Sequence, residues 1–302
     1  VERGEAPLKE GEPLHNSFSA QRRLRKSRYD SVDSYLTTRE WNDVPLEMNE
    51  RVRQRLLESG VDALLAEHMA HLFVRDPLVI FSENINLDDT RSMDHFENIQ
   101  STNWQTMRFK PPPHGGHTGW RVEFRSMEIQ LTDFENAAFC IFLVLLSRVI
   151  MTMPVDFGMP ISLVDVNMQR AQRRNAIQTQ RFHFRSSRHT SQTQEYTLAD
   201  IFHGNAGDDT MPGLLPLVHS YLDSLNMSET ERQRLNRYLD LVAMRVDGRL
   251  MSTATYIRQF VQQHPAYRHD SVVSDEINYD LLCTLDRIER GECEVPDFMP
   301  AW

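Results

Sequence analysis

The sequence is poor in cysteine and has no long apolar run. Its cysteines, Cys140, Cys283 and Cys293, form no pair with metal-ligand spacing, and an odd number without a disulfide framework is typical of a reducing compartment. No apolar stretch reaches the ~20 residues that a bilayer-spanning helix needs, and the first residues lack the order of a signal peptide. We therefore expect a cytoplasmic protein that does not enter a membrane.

Positive charge is also scarce, because 43 acidic residues outnumber 33 basic ones and give a net charge of −10. Lysine occurs only at positions 9, 26 and 110, so arginine supplies nearly all of the positive charge. This balance argues against general nucleic-acid binding. The sequence has neither sustained heptads nor an internal repeat, so a coiled coil and a solenoid are not expected. With 302 residues, of which 40% are hydrophobic, the chain can form one large core or two modest ones.

Residues 120–125 alternate between apolar and charged side chains, as the two faces of a β-strand do. The apolar face, which we expect to lie in the core, has Trp120, Val122 and Phe124. The charged face has Arg121, Glu123 and Arg125. A carboxylate between two guanidiniums suits a site where Mg²⁺ and a phosphate meet. The same pattern also occurs as a cross-strand salt bridge on a solvated sheet, so both interpretations are open at this point.

The residues before this strand add positive charge. Arg108 and Lys110 lie on one face if their segment is extended, and Trp104 precedes them by four and six residues. Three prolines and a glycine-containing loop then allow the chain to reverse direction before the strand. The pattern predicts a hairpin with one basic arm and one arm that could ligate a metal.

Two further patterns could contribute to a site. His68 and His71 share a face of a predicted helical region, Leu46–Phe73, that is broken at Gly60 into one helix or two. Their spacing could hold a metal, or they could pack against and cap the helix.

The basic stretch at residues 21–36 predicts a short amphipathic helix with Asp30 or Ser31 as its N-cap. Arg28, within this stretch, could contact a substrate or a phosphate. It could equally form a surface ion pair with Asp30 or Asp33.

The rest of the chain is predicted to be mainly helical. Thr132 and Glu135 form a capping box, and the apolar run from Ala137 to Leu146 predicts a buried helix that packs on the apolar face of the Glu123 strand. Residues 181–198 predict a short edge strand and a mobile loop. Further helices are predicted over Leu163–Gln178, Leu214–Leu225, Glu229–Val246, Thr253–His264 and Asp275–Glu289. Ser228 and Glu231 form a second capping box at the start of the helix over Glu229–Val246.

Several long motifs resemble one family. FENIQSTNWQTMRFKPPP (residues 96–113), GWRVEFRSMEIQLTDFENAAF (119–139) and EYTLADIFHGN (195–205) are similar to the catalytic chain of eukaryotic-type glutamate-cysteine ligases. The resemblance runs from about Glu2 to Asp286. It implies ATP-dependent formation of γ-glutamylcysteine from L-glutamate and L-cysteine through a γ-glutamyl phosphate, which is the first step of glutathione biosynthesis, with Mg²⁺.

The resemblance also implies roles and a fold. Glu123 would be a Mg²⁺ ligand, Arg125 a catalytic and substrate-binding residue, and Trp104 a wall of the amino-acid pocket. Arg108 and Lys110 would bind the nucleotide phosphates. The implied fold is α+β, part of a glutamine-synthetase-like antiparallel sheet with a large helical C-terminal portion. The implied domains are 1–135, part of the catalytic sheet with a helical insertion, and 136–302, a mainly helical supporting region.

The family's chain is longer than this one, and the matching part is its C-terminal half. The other acidic Mg²⁺ ligands would then lie in the N-terminal half, so we expect the isolated chain to be inactive. Two alternatives are a noncatalytic interaction protein derived from the ligase and a phosphotransfer enzyme that uses the same face on another acceptor. The resemblance leaves open whether a regulatory subunit binds.

Overall fold

The structure is a computed structural model that describes residues 26–37, 40–75, 77–113, 116–187, 190–205 and 212–300. The chain divides into two compact units. Their described residues fall within Val1–Met127 with Met159–Met168 for the first unit, and within Glu128–Gly158 with Gln169–Trp302 for the second. The division into domains at residue 135 stays a prediction.

The first unit combines short helices with one hairpin. Its elements are α1 (Glu50–Glu58), α2 (Ala63–Leu72), α3 (Asp94–Ser101), β1 (Met107–Lys110), β2 (Arg121–Phe124) and most of α5 (Ile161–Ala171). The chain passes from α1 to α2 through Gly60, whose φ of +85° is a conformation that glycine adopts without steric cost. Side chains of Asn49 and Asp62 cap the two helices. The two-helix alternative is therefore confirmed.

The strands β1 and β2 form an antiparallel ladder, which confirms the predicted hairpin. The expectation that the apolar face of β2 lies in the core is wrong. Val122 is 52% exposed and Phe124 is 46% exposed. The reason is that Val122 lines the wall of a cavity of about 290 Å³, together with Met107 and Phe109 of β1, and packed side chains do not fill that space.

The second unit is mainly helical. Its elements are α4 (Asp133–Thr152), α6 (Ala176–Thr179), β3 (Phe182–Arg185), β4 (Thr193–Tyr196), α7 (Leu198–His203), α8 (Leu214–Asp223), α9 (Glu229–Val246), α10 (Thr253–Gln263) and α11 (Asp275–Glu289). Its main core joins α4, α8 and α9 through Phe142, Val149, Val218, Leu222, Leu241 and Val242. The strands β3 and β4 form an antiparallel pair, so the predicted edge strand is confirmed and the predicted loop contains a second strand. The predicted α+β class is confirmed.

The helix α4 packs along one face into the core of the second unit. Its buried side chains, Ala138, Phe142, Leu145 and Val149, belong to the core with α8 and α9. Those contacts account for its buried face within the second unit, and the packing of α4 on the Glu123 strand stays a prediction. The opposite face exposes Val144. By length and composition α4 could also cross a membrane, although core helices of soluble proteins share these properties.

Two helix starts are formed as predicted. The Thr132 side chain accepts from the Glu135 N–H while the Glu135 carboxylate accepts from the Thr132 N–H, and Ser228 and Glu231 do the same at the start of α9. The two boxes differ in burial, because Glu135 is fully buried and Glu231 is exposed. The Arg245 guanidinium donates to Glu135 within the core of the second unit.

Candidate functional site

The polar face of β1–β2 brings together four of the predicted site residues, with three cations around the carboxylate of the fourth. Arg108 donates to Oε2 of Glu123 through Nε at 3.2 Å and Nη2 at 3.1 Å. The Nζ atom of Lys110 lies 3.2 Å from the same oxygen. Nε of Arg125 donates to Oε1 at 2.7 Å. Glu123 is thus the shared acceptor of two guanidiniums and one ammonium.

Strand register explains this cluster. Arg108 lies directly opposite Glu123, and Lys110 lies opposite Arg121, so side chains of alternate residues on both strands project from one face. The backbone N–H of Arg125 donates to Thr106 O at 2.7 Å, which continues the pairing past β2. Arg121, which the sequence places beside Glu123, donates to the carbonyl of Pro111 at 3.1 Å instead.

The charges on this face are unbalanced. Arg108, Lys110, Arg121 and Arg125 are cations, and Glu123 is the carboxylate they surround, which leaves an excess of positive charge. Burial raises the pKa of Glu123, but hydrogen bonds from Arg125, Lys110 and Arg108 outweigh it and lower this pKa to about 2. The carboxylate is therefore ionised at neutral pH. A face of this kind attracts anions that carry several charged oxygens.

A cavity of about 200 Å³ adjoins this cationic face at the C-terminal end of α3. Three cations, Arg108, Lys110 and Arg121, line it from the hairpin, and Glu97, Gln100 and Ser101 line it from the helix, so its lining has more positive than negative charge. Arg108 also donates through Nη1 to the carbonyl of Gln100 at 3.2 Å, which fixes the guanidinium between helix and strand. The cavity gives an anion room to approach the cations.

Trp104 lies just before β1 and belongs to a second cluster. Its ring stacks on Tyr29 with the ring centroids 5.1 Å apart. Tyr29 is 70% exposed, so the pair presents an aromatic surface to solvent. Sequence reasoning did not select Tyr29, because an isolated tyrosine in a basic stretch carries no pattern that separates it from a surface residue.

The segment around Arg28 is irregular, so the helix predicted there is wrong. Arg28 is buried and donates to the carbonyl oxygen of Thr102 at 3.1 Å and to its hydroxyl at 2.9 Å. Among the described residues, the predicted surface ion pair of Arg28 with Asp30 or Asp33 is not supported, because Arg28 is buried. The segment instead forms turns and bends, with the Asp30 N–H donating to the Ser27 carbonyl oxygen at 3.4 Å. The arginines at 22, 23 and 25 of the same stretch lie outside the described residues.

His71 makes structural contacts, as the packing alternative predicted. Its Nε2 lies 2.7 Å from a carboxylate oxygen of Asp33, and its Nδ1 lies 2.8 Å from the carbonyl oxygen of Glu47. In the part of the chain that the structure describes, no group of three or more histidine, cysteine, aspartate or glutamate residues could hold a metal ion. A metal site formed by His68 and His71 alone is not supported.

His68 provides a test of the folded state that does not depend on any activity. Burial, together with the charge of the neighbouring His71, lowers the pKa of His68 to about 4 against an opposing effect of Asp33. The unfolded chain therefore binds a proton near pH 6.5 that the folded chain does not bind until pH 4. Stability should fall by up to about 3 kcal/mol as the pH is lowered through this range.

The His68→Gln variant should lose most of this acid sensitivity, because glutamine does not titrate. Urea unfolding at pH 7.5 and pH 4.5 measures the difference, and His117→Gln, at an exposed position, is the control. An acid-induced loss of equal size in both variants would contradict the assignment to His68.

A model of the glutamate-cysteine ligase family matches residues 1–288 of the chain. The chain belongs to the glutamate-cysteine ligase family. The mouse glutamate–cysteine ligase catalytic subunit is 46% identical over 320 residues, which cover 99% of this chain and 48% of the relative. The fission yeast glutamate–cysteine ligase is 47% identical over 280 residues, which cover 88% of this chain and 42% of the relative. The Dictyostelium discoideum glutamate–cysteine ligase is 44% identical over 304 residues, which cover 96% of this chain and 47% of the relative.

The chain thus spans about half the length of the curated relatives it matches. Family membership confirms the resemblance stated from the sequence motifs. It also places the cluster around Glu123 in a part of the chain that the family model covers. The roles of Glu123, Arg125, Trp104, Arg108 and Lys110 stay predictions.

Proposed function

We propose that this chain forms part of the active site of a cytoplasmic ligase that joins the γ-carboxylate of L-glutamate to the amine of L-cysteine. A γ-carboxylate oxygen attacks the γ-phosphorus of ATP and ADP leaves. The cysteine amine then attacks the carbonyl carbon of the γ-glutamyl phosphate, phosphate leaves, and the nitrogen loses a proton. The product, γ-glutamylcysteine, is the first intermediate of glutathione biosynthesis. Family membership supports this reaction.

The observation that carries the proposal is the cationic face of β1–β2. Phosphoryl transfer depends on cations that take up charge on the transferred group and hold it in line. Arg108 and Lys110 line the cavity next to this face, so in the proposal they bind the nucleotide phosphates. Arg125 has partly exposed N–H groups and in the proposal contacts the transferring phosphoryl group or the γ-carboxylate of glutamate.

A bare metal ion does not fit Glu123 as the structure presents it. Both carboxylate oxygens accept from cations, and three positive side chains would repel a further positive ion. A metal that arrives with a polyphosphate does fit, because the phosphate oxygens would draw the cations away from Glu123 and leave the carboxylate free. When bound, Mg²⁺ would supply charge neutralisation to the phosphates. We propose that Glu123 is one of its ligands.

One carboxylate does not complete a Mg²⁺ coordination sphere, so the other ligands would come from the half of the enzyme that this chain does not span. The mouse relative is named a catalytic subunit. We propose that this chain likewise belongs to a catalytic subunit, and whether a regulatory subunit binds it stays open.

The proposal predicts that the isolated chain is inactive and that a completed enzyme is active. The 302 residues would be assayed alone and after fusion to the segment of the fission yeast relative that they do not span. The readouts are γ-glutamylcysteine formation and ADP release with ATP, Mg²⁺, glutamate and cysteine. We expect product from the fusion only. ATP turnover that requires neither amino acid would favour a phosphotransfer enzyme, and a folded but inert fusion would favour a noncatalytic protein.

A further inference from the structure

Three consecutive contacts connect the segment at residues 28–33 to the chain that leads into β1. Arg28 donates to Thr102, Tyr29 stacks on Trp104, and Asp33 accepts a hydrogen bond from the side-chain amide of Gln105. The contacts run in parallel along both segments. Trp104 is thus held through its own ring, through Thr102 two residues before it and through Gln105 directly after it.

Asp33 is the most constrained member of this set. It is 8% exposed and accepts from Nε2 of His71 at 2.7 Å in addition to Gln105. A guanidinium nitrogen of Arg75 lies 3.7 Å from the same carboxylate oxygen. Burial raises the pKa of Asp33, but the hydrogen bond and charge of His71 and the charges of Arg75 and Lys26 outweigh it and lower that pKa. Asp33 is therefore an ionised buried acceptor.

The partners of Asp33 come from two separate parts of the first unit. His71 is in α2, and its other ring nitrogen lies 2.8 Å from the carbonyl oxygen of Glu47, which can only accept. The imidazole thus has a polar partner at each ring nitrogen, and it joins Asp33 to the segment before α1. Gln105 is buried and lies beside Trp104, two residues before β1 begins. The Asp33 carboxylate therefore connects α2, through His71, to Gln105, the residue next to Trp104.

We propose that Asp33 is a positioning residue that acts through Gln105 to hold Trp104 in the orientation that recognises the amino-acid substrate. The inference rests on the proposed function, in which Trp104 forms a wall of the amino-acid pocket. Asp33 itself touches no reactant. Loss of its hydrogen bond to Gln105 therefore weakens the binding of the amino acid and leaves the phosphate-binding cations on β1 in place.

The Gln105→Met variant removes this hydrogen bond and keeps a side chain of similar length. In the fused enzyme we expect KM for glutamate or cysteine to rise about tenfold, which corresponds to the loss of about one hydrogen bond to a charged group. The values of kcat and of KM for ATP should change by less than about threefold, because uniform binding and not the chemical step is affected. Gln178→Met is the control, since its side-chain amide donates to Val246 in the second unit.

A double-variant test separates positioning from general loss of structure. Asp33→Asn and Gln105→Met both disrupt the same contact, so the double variant should have amino-acid KM values close to those of Asp33→Asn alone. Effects that multiply would show that the two residues act independently and would overturn the inference. A rise in KM for ATP as large as the rise in KM for the amino acid would also overturn the inference.

A spectroscopic readout needs no enzyme activity. The 302-residue chain labelled with 5-fluorotryptophan has one ¹⁹F resonance for each of Trp41, Trp104, Trp120 and Trp302, and Trp104→Phe assigns the relevant one. In Gln105→Met we expect the Trp104 resonance to shift or broaden while the others stay in place. An unchanged Trp104 resonance overturns the inference. If the wild-type fusion makes no product, the proposed function fails, and the ¹⁹F spectrum alone decides the role of Asp33.

Discussion

The Glu123→Gln substitution is expected to reduce turnover of the fused enzyme by at least about 100-fold, within the range seen when one charge-stabilising group is removed from an active site. Glutamine keeps the size of the side chain and removes the negative charge that the metal needs. The surrounding cations stay, so binding of the nucleotide phosphates should be retained or strengthened. The expected defect is therefore in the response to Mg²⁺, with a higher Mg²⁺ concentration at half-maximal rate and partial recovery at high Mg²⁺.

Glu195→Gln is a matched control for this experiment. Glu195 also lies within an antiparallel two-stranded ladder, opposite His183, and accepts from Arg170 at 2.8 Å. If carboxylates at such positions serve only to neutralise neighbouring cations, the two variants should behave alike. We expect Glu195→Gln to retain turnover within about twofold, as surface ion pairs contribute little. An unchanged Mg²⁺ response in Glu123→Gln would identify its cluster as a structural salt bridge.

The second large effect concerns stability. Replacing Glu135 by Gln should lower the free energy of unfolding by about 3 kcal/mol, because it leaves a buried guanidinium without its counter-charge. Arg245 is 5% exposed, and its Nε and Nη1 atoms have no hydrogen-bond partner among the described residues. Its remaining contact is with the ring of Phe298, whose centroid lies 4.9 Å from the guanidinium carbon. Urea unfolding of the 302-residue chain, followed by circular dichroism, measures the loss.

Glu231→Gln provides the comparison, since Glu231 occupies the same position of a capping box on the exposed start of α9. Glutamine can still accept the backbone hydrogen bond at both sites, so the cap itself is largely preserved. The stability loss in Glu231→Gln should be a small fraction of that in Glu135→Gln. Equal losses would show that the capping box, and not the buried ion pair with Arg245, carries the effect.

Local patterns in the sequence were sufficient to predict the charged cluster around Glu123. Strand alternation predicted that Arg108 and Lys110 share a face of the first strand and that Glu123 and Arg125 share a face of the second. The proline and glycine residues between the strands predicted the hairpin that joins them. Helix starts at Thr132 and Ser228 were predicted equally well. These features depend on residues a few positions apart, whose geometry is set by the backbone period itself.

Contacts between residues that are distant in the sequence could not be predicted from local patterns. The exposure of Val122, the docking of α4 on α8 and α9 and the pairing of β4 with β3 all depend on which surfaces meet in three dimensions. β4 was predicted as a loop because its polar composition gives little strand signal, and pairing with β3 overrode that preference.

The sequence by itself determined the family, most of the helices, the β1–β2 hairpin and the charged face around Glu123. Only the tertiary structure decided that Asp33 is buried and that its partners are His71 and Gln105. Nothing in the local sequence separates Asp33 from Asp30, since both are aspartates in the same polar stretch. The difference arises because a carboxylate can be buried only where donors from other segments converge on it, and that convergence is a property of the fold.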